Sequence, residues 1–233
     1  MVHIDIGKMS SREVSKTLKE LIAKEQEIVI ENPHSLHNFA TALIGKANIT
    51  VNGSTGFYTG GFLEGPTLTV KGNTGWYTGD NMLAGEIIVE MNTGSNAAPS
   101  MLGGTMVIKG NSGSRTGYGM KGGDLIVCGD VGRWTGQMTL GGRIIILGTL
   151  REGTGESMYN GVIHVLDPNI EKKLGGNVKV VPISDKEKNE VASLFKKYGI
   201  QQDVENFKSV VPKVYGRHEY VLFKPTHKKG VQK

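Results

Sequence analysis

Residues 72–79 read Gly-Asn-Thr-Gly-Trp-Tyr-Thr-Gly, a phrase of the form G-x-x-G-x-x-x-G. The phrase recurs at a fixed spacing of nineteen residues, and six copies fill the chain between Ile49 and Gly161. Three other copies keep every glycine: Gly53, Gly56 and Gly60; Gly110, Gly113 and Gly117; Gly129, Gly132 and Gly136. Two copies are degraded, with Met91, Gly94 and Ala98 in one and Gly148, Arg151 and Gly155 in the other. Such regular repetition is typical of solenoid proteins, in which each repeat is one structural unit stacked on the next.

Two columns of residues at this spacing are apolar throughout and lie two positions apart. They are Leu68, Ile87, Met106, Leu125, Ile144 and Ile163, and then Val70, Val89, Ile108, Val127, Ile146 and Val165. Alternate residues of a strand share one face, so both columns are predicted to face inward from stacked strands. A third column is mainly apolar and is predicted to fill the core from another side, where methionine suits irregular gaps; it comprises Leu63, Met82, Met101, Met120, Thr139 and Met158.

This pattern predicts an all-β fold, a parallel β-helix with one nineteen-residue copy per coil. Each strand pairs with its counterpart one turn along, so six coils at about 4.8 Å make a rod of roughly 30 Å. Left-handed hexapeptide helices favour multiples of six, and the period of nineteen therefore favours the right-handed form. Residues 31–47 are predicted to form a first, irregular turn, because Ile30 and Val51 are 21 residues apart.

Polar positions are equally periodic. One column is expected to form a hydrogen-bonded ladder between coils, as side chains do in cross-β stacks; it contains Ser54, Asn73, Asn92, Asn111, Asp130 and Thr149. A threonine column is expected to do the same and contains Thr59, Thr78, Thr116, Thr135 and Thr154. The repeated glycines are expected where the backbone turns with a positive φ. A further glycine column precedes each strand, and Pro66 replaces it in the first copy.

Segments outside the repeats are expected to protect the two open ends of the β-helix. Residues 1–27 are predicted as a lead-in and a capping helix, which the capping box Ser10-x-x-Glu13 opens. Residues 28–183 are predicted as the β-helix, with regular coils over 49–161. Residues 184–233 are predicted as a second capping helix, opened by Ser184-x-x-Glu187, followed by a basic and mostly irregular tail.

Composition excludes several protein classes. The 34 glycines show no G-X-Y period, which excludes collagen, and the 38% hydrophobic content is too high for a disordered glycine linker. No apolar run is long enough for a transmembrane helix, and the N-terminus is neither a signal peptide nor a transit sequence. A single cysteine, Cys128, fits a reducing compartment, so a cytoplasmic location is expected. The net charge of +5 comes from residues 207–233 and leaves the rest near neutral.

Side chains that could take part in catalysis or metal binding form no recognisable site. His34 and His37 lack the Cys or carboxylate partners of a metal site, and Cys128 has no histidine near it in the repeat. The glycine phrases do not lie between a strand and a helix, so they do not predict a nucleotide-binding loop. Polysaccharide-cleaving β-helices need clustered carboxylates, whereas four acidic residues of the repeats fall in four different columns; these are Asp80, Glu90, Asp124 and Asp130. We therefore predict no catalytic, cofactor-binding or metal-binding residue in this chain.

The outward strand column raises the question of what covers it. It reads Thr50, Thr69, Ile88, Val107, Ile126, Ile145 and His164. Four consecutive apolar residues, 88, 107, 126 and 145, would form an exposed patch, and such patches mark interfaces. Either a partner subunit or the chain's own C-terminal segment is expected to lie there. Arg115, Arg133 and Arg151 nearly align and are interpreted as a solvated face, with a stripe for an anionic partner as the alternative.

The glycine phrases, together with Glu31-Asn32-Pro33 and His37-Asn38, resemble the C-terminal GXGXG β-helix domain of the glutamate synthase large subunit. The resemblance spans roughly residues 10–200 and extends to stand-alone subunits of split glutamate synthase-like and N-methylglutamate synthase complexes. It implies a scaffold. The glutaminase nucleophile, the FMN and the iron–sulfur centre belong to other domains or subunits of that family. None of the matching positions is catalytic there, and Met91, Ala98 and Arg151 depart from the regular phrase.

The resemblance therefore implies a non-catalytic scaffold subunit of a glutamate synthase-like complex. Its expected partners are a glutamine amidotransferase-like subunit and an FMN-binding glutamate synthase-like subunit, with self-association left open. FMN and iron–sulfur clusters are expected on the partners, and neither nucleic acid nor membrane is an expected partner. The alternatives are a component similar to the related subunit of formylmethanofuran dehydrogenase and, from another class, a β-helical carbohydrate-active enzyme.

Overall fold

A stack of parallel strands dominates the structure, a computed structural model that describes residues 1–24 and 26–215. Nine strands follow one another in sequence order across one sheet, and two more close its C-terminal end in the order β9-β11-β10. The parallel strands are β1 (Val2–Asp5), β2 (Glu27–Glu31), β3 (Asn48–Asn52), β4 (Glu64–Val70), β5 (Ala84–Val89), β6 (Thr105–Ile108), β7 (Asp124–Val127), β8 (Arg143–Ile146) and β9 (Val162–Val165). The remaining elements are α1 (Ser11–Ile22), a 3₁₀ turn (Ile170–Lys172), β10 (Val178–Pro182), α2 (Asp185–Tyr198) and β11 (Lys208–Pro212).

The strand register confirms the predicted parallel β-solenoid of about 19 residues per coil, with about seven turns. Leu68 pairs with Ile87 and Ile87 with Met106, each one repeat along. The longer first turn is also confirmed, because Ile28 pairs with Ile49 and Ile30 with Val51. The right-handed sense stays a prediction of the sequence.

The three inward columns form one continuous core. Leu68, Ile87 and Ile144 are fully buried, and so are Met82, Met101 and Met120 of the third column. Burial of apolar surface is the main favourable contribution to the free energy of folding, at about 25 cal/mol per Å² removed from water. The core therefore confirms the column assignment made from spacing.

Helix α1 covers the N-terminal end of this core with Val14 and Leu18, both buried. Its predicted capping box is present, with Ser10 and Glu13 bonding each other's backbone N–H groups. The C-terminal end of the core is not covered by the predicted second capping helix. The 3₁₀ turn, β10 and β11 contribute Ile170, Val178 and Val210 to the core.

Helix α2 begins at the predicted Ser184 capping box and ends at Gly199, whose φ is +64°. It lies on the outer face of the sheet rather than over the end of the core, because Val191 and Phe195 pack on Val107, Ile126 and Ile145. Residues 208–212, predicted as part of an irregular tail, form β11 because they pair antiparallel with β9 and β10. The tail predicted to follow α2 contains a short apolar segment, Tyr220-Val-Leu-Phe223, which lies outside the described residues.

The asparagine column is a ladder, as predicted. The Oδ1 atom of Asn73 accepts the backbone N–H of Asn92 at 3.0 Å, and the Oδ1 atom of Asn92 accepts that of Asn111 at 2.8 Å. The threonine column does not form the predicted ladder between coils. Thr78 Oγ1 donates to the carbonyl of Gly75 at 3.0 Å, three residues back in its own coil, and its equivalents do the same.

Two glycines of the opening phrase serve different purposes. Gly79 has a φ of +71°, which confirms the expected turn conformation. Gly75 is needed for space, because a Cβ there would lie 2.7 Å from the backbone carbonyl carbon of Gly56 in the preceding coil. Close stacking of coils therefore explains glycines that the turn geometry alone would not.

Candidate interaction surface

Aromatic side chains form two short stacks on the turn face of the first coils. Phe57 and Trp76 occupy the same position in successive copies, between the inward threonines of the phrase, and so point outward. Their rings stack at 5.6 Å between centroids and 21° between planes. His37, in the irregular first turn, stacks on the other face of Phe57 at 4.6 Å and 19°. Its Nδ1 atom accepts the Phe57 backbone N–H at 2.9 Å, which fixes the ring in place.

The next position along the turn carries a parallel stack of tyrosines. The rings of Tyr58 and Tyr77 lie 4.9 Å apart and 7° from parallel. Both residues have left-handed backbone, with φ values of +59° and +62°. We call the five residues His37, Phe57, Tyr58, Trp76 and Tyr77 the aromatic ladder. Offset stacked rings contribute about 0.5–1.5 kcal/mol per pair beyond burial, so the ladder is pre-ordered before anything binds to it.

The ladder lies in the stretch of chain that carries most of the exposed large hydrophobic side chains. Phe57 and Trp76 are 42% and 52% exposed, although each is a large hydrophobic side chain. Among the described residues, eight of the twelve exposed large hydrophobic side chains fall between Ile44 and Leu102; they are Ile44, Phe57, Tyr58, Phe62, Trp76, Leu83, Met91 and Leu102. Within this stretch the aromatic ladder is the group whose exposed rings contact one another, and exposed apolar side chains in contact are typical of a protein–protein interface.

Later copies replace the aromatic pairs with polar and charged residues. The Phe57 and Trp76 column continues as Ser95, Ser114, Arg133 and Glu152, and the tyrosine column as Asn96, Arg115, Trp134 and Gly153. Arg133 Nε pairs with Glu152 at 3.1 Å, and the guanidinium of Arg115 lies 4.9 Å from the ring centroid of Trp134. Two of the three arginines are thus engaged within the chain, which agrees with the interpretation of a solvated face.

The outward strand column is covered by the chain itself. Val107, Ile126 and Ile145 are fully buried under α2 and Phe207, so the C-terminal segment is the cover in this region. Ile88 is only partly buried. Ion pairs hold α2 in register: Lys197 Nζ lies 2.6 Å from Glu86, and Arg143 Nη1 lies 2.6 Å from Glu190.

His164 continues the same column and is fully buried. Its Nδ1 atom lies 3.0 Å from Ser209 Oγ of β11, and Nε2 has no hydrogen-bond partner. Burial lowers its pKa to about 4, although the nearby carboxylates of Glu187 and Glu190 oppose that shift. His164 is therefore a neutral residue of the packing between the sheet and its cover.

The other residues considered for catalysis or metal binding are dispersed over the fold. Burial raises the pKa of the Cys128 thiol, so its reactive thiolate is disfavoured. Glu90 pairs with Lys71 at 3.8 Å and Asp124 with Arg143 at 2.8 Å, while Asp130 accepts the backbone N–H of Thr149.

Asp80 accepts a hydrogen bond from Asn81 Nδ2, and burial raises its carboxyl pKa. Within residues 1–24 and 26–215, no three His, Cys, Asp or Glu side chains are grouped to hold a metal ion.

The aromatic ladder was missed by the reasoning from sequence, although its signal was present. Phe57 and Trp76, and Tyr58 and Tyr77, are nineteen residues apart, so the period alone places each pair in adjacent coils. His37 could not be added this way, because it lies in the irregular turn, twenty residues before Phe57.

Comparison with known protein families gives one finding. The family model described as the GXGXG motif matches residues 7–216, which is most of the chain and includes all six copies of the phrase. A separate comparison with curated proteins finds no match. In the described part of the chain, neither helix is long and apolar enough to cross a membrane. The chain belongs to the GXGXG motif family, which includes the C-terminal domain of the glutamate synthase large subunit.

Proposed function

We propose that this protein is a non-catalytic scaffold subunit of a glutamate synthase-like complex, in which it holds a glutamine amidotransferase-like subunit and an FMN-binding subunit in fixed geometry. The observation that carries the proposal is the concentration of ordered, exposed aromatic side chains on a chain of this family. The aromatic ladder is the contact surface for one of the two catalytic partners. FMN and the iron–sulfur centre reside on the partners.

The solenoid has the properties that such a role requires. Each coil is tied to the next through backbone pairing and through the asparagine ladder, so the distance between two points on its surface is nearly fixed. Positioning of reacting groups can supply roughly 7–11 kcal/mol of a reaction barrier, and a rigid scaffold preserves that contribution. Transfer of ammonia from a glutaminase site to a synthase site needs this kind of fixed alignment.

The geometry of the ladder favours a protein over a carbohydrate. Sugar rings stack on open aromatic faces, but both faces of Phe57 are covered, by His37 and by Trp76. Phe57 therefore has no free face for a sugar ring, while Trp76, Tyr58 and Tyr77 each combine an apolar ring with a polar N–H or O–H group. Such amphipathic side chains are enriched at the centres of protein interfaces, where Trp and Tyr are frequent hot spots.

The experiment is purification of the complex from its native cells through a tagged copy of this chain, with wild type compared with Trp76→Ala. We expect an amidotransferase and a flavoprotein with the wild-type chain, and at least about a tenfold loss of one of them with Trp76→Ala. Trp134→Ala is the matched control, because it removes the other tryptophan from the charged part of the turn face. Thermal unfolding of each variant verifies that it is folded.

Three outcomes would contradict the proposal. The chain could purify without either catalytic partner. It could bring down a molybdopterin or tungsten enzyme, which would support the formylmethanofuran dehydrogenase alternative. Trp76→Ala and Trp134→Ala could also have the same effect, in which case the aromatic ladder is not the contact surface.

A further inference from the structure

A groove runs between helix α1 and the first, irregular turn of the solenoid. It has a volume of about 710 Å³. On one wall α1 contributes three cations, Arg12, Lys16 and Lys19, and one carboxylate, Glu20, so this wall is positive on balance; Thr41 and Ala42 form the floor. We call this feature the basic groove. Its positive wall and small floor residues distinguish it from the rest of the N-terminal end.

The cations of the basic groove are not neutralised by the described part of the chain. Arg12 and Lys19 make no ion pair with any described residue, and Lys16 has only an exposed contact with Glu20 at 3.9 Å. Two lysines of α2 differ from these, since Lys188 pairs with Glu205 and Lys197 with Glu86. The positive charge on α1 is therefore available to something outside this chain.

Arg12 is also placed against the electrostatic preference of the helix. It lies in the first turn of α1, where the helix dipole is positive and acidic side chains are favoured. A cation there does not stabilise the helix, so no role within α1 accounts for the charge of Arg12. The capping box supplies the stabilising carboxylate at this end, through Glu13.

The basic groove adjoins the aromatic ladder. Asn38, on its edge, donates its backbone N–H to the carbonyl of Phe57 at 2.8 Å. Thr41 Oγ1 donates to the carbonyl of Tyr58 at 3.0 Å. The wall of cations and the exposed rings thus belong to one continuous surface, with an aromatic centre and a charged border, as protein interfaces have.

We infer that the basic groove receives an acidic segment of the partner subunit that docks on the aromatic ladder. The inference rests on the proposed function and adds the chemistry of the partner: Asp or Glu side chains beside an apolar contact surface. Aspartate or glutamate carboxylates would face Arg12, Lys16 and Lys19, and a small side chain would lie over Ala42. Charge pairs at the border of an interface speed association and fix orientation more than they add affinity.

The test measures binding of the co-purified flavoprotein or amidotransferase to three forms of this chain at low and at high salt. The forms are wild type, the triple variant Arg12→Glu, Lys16→Glu and Lys19→Glu, and the control Lys172→Glu, Lys179→Glu and Lys196→Glu. The control changes the net charge equally at exposed positions away from the groove. We expect the groove variant to weaken binding by about tenfold at low salt and to remove most of the salt dependence, with the control close to wild type.

The outcomes separate this inference from the proposed function. If both triple variants bind like wild type while Trp76→Ala weakens the complex, the scaffold stands and the basic groove is not an interface. If no catalytic partner binds any form, the proposed function and this inference fail together. A short mixed-sequence DNA duplex is the third probe. Binding of the duplex to wild type that the groove variant abolishes would replace the acidic protein segment by nucleic acid.

Discussion

The two halves of the solenoid share one repeat but expose different surfaces. In the open half, strands β2 to β4, the outer face of the sheet presents Val29, Thr50 and Thr69; all three are half-buried, and neither described helix covers them. In the covered half, strands β6 to β9, the same column is Val107, Ile126, Ile145 and His164, and all four are fully buried. The turn face changes in the opposite sense, from aromatic in the first coils to polar and charged in the later ones.

The difference shows that inward and outward positions obey separate constraints. The two inward strand columns remain apolar in every coil, and the third departs only at Thr139, because all three line one core. Outward columns only have to match what lies against them. In the covered half that is the chain's own α2, and we propose that on the turn face of the first coils it is another subunit. The predictions below test this division between a common frame and specialised surfaces.

The largest effect is expected from Phe195→Ala in α2. Phe195 is almost fully buried against the covered half and contacts Phe207 at 5.9 Å between ring centroids. Loss of a buried phenylalanine costs about 3–5 kcal/mol, so the free energy of unfolding should fall by about 4 kcal/mol. Urea unfolding measures it. Thr69→Ala, in the open half, should change stability by less than about 0.5 kcal/mol; a larger loss there would mean that the open half also has a cover.

Acid should weaken the covered half through His164. Burial lowers the folded-state pKa to about 4 from 6.5, so the unfolded chain binds the proton first as the pH falls. The stabilisation is complete above pH 6.5 and is lost between pH 6.5 and about 4. By linkage it amounts to about 3 kcal/mol.

This expectation can be checked by measuring the free energy of unfolding of wild type and of His164→Gln. The series runs from pH 8 to pH 4 in steps of roughly one pH unit. The variant should lack this part of the pH dependence, whereas the charged neighbours of His164, namely Glu187, Glu190 and Arg143, are common to both proteins. Parallel curves for the two proteins would show that His164 does not titrate in this window.

Glycine substitutions should affect both halves alike, because they test the common frame. A Cβ at Gly75 would lie 2.7 Å from the backbone of Gly56, and a Cβ at Gly132 would lie 2.5 Å from the backbone nitrogen of Ser114. We expect Gly75→Ala and Gly132→Ala each to cost about 2 kcal/mol, because adjacent coils must move apart. Gly176→Ala is the control, since nothing lies within 4 Å of the added atom. Unequal costs at Gly75 and Gly132 would show that the frame itself differs between the halves.

The smallest effect is expected in the asparagine ladder. Asn73→Ala removes the acceptor for the backbone N–H of Asn92, and Asn111→Ala removes that for Asp130. Each should cost about 1 kcal/mol in either half, the usual net value of one hydrogen bond. Asn73→Asp keeps the acceptor and should retain most of the stability. Equal losses in Asn73→Ala and Asn73→Asp would show that the amide NH₂ group, rather than the carbonyl oxygen, supports the ladder.

Much of the frame was predictable from spacing. The nineteen-residue columns gave the strand pairs, the three inward faces and the extra length of the first turn, because stacking converts sequence period directly into register. Both capping boxes were also predictable, since they depend on residues three apart. Local and periodic information is sufficient wherever the partner of a residue is its own repeat.

Contacts outside the period were the ones that sequence could not settle. The outer column needed a cover, but the choice between α2 and another chain depends on a contact such as Lys197 with Glu86, 111 positions apart. The hydroxyl of Thr78 has a nearby carbonyl within its own turn, and the period cannot distinguish that bond from one to the next coil. Strand β11 is defined by its pairing with β9, not by a repeat.

The length of α2 has a consequence for how this protein can change in evolution. Its 14 residues span about 21 Å, close to the roughly 19 Å occupied by four inter-strand spacings from β5 to β9. Ion pairs to Glu86 on β5 and Arg143 on β8 fix the helix to particular coils. A coil inserted between those strands would pull these anchors out of reach, whereas one inserted before β5 would leave them intact. The length of the helix and its two ion pairs therefore fix the number of coils beneath it, whereas the open half is free to lengthen.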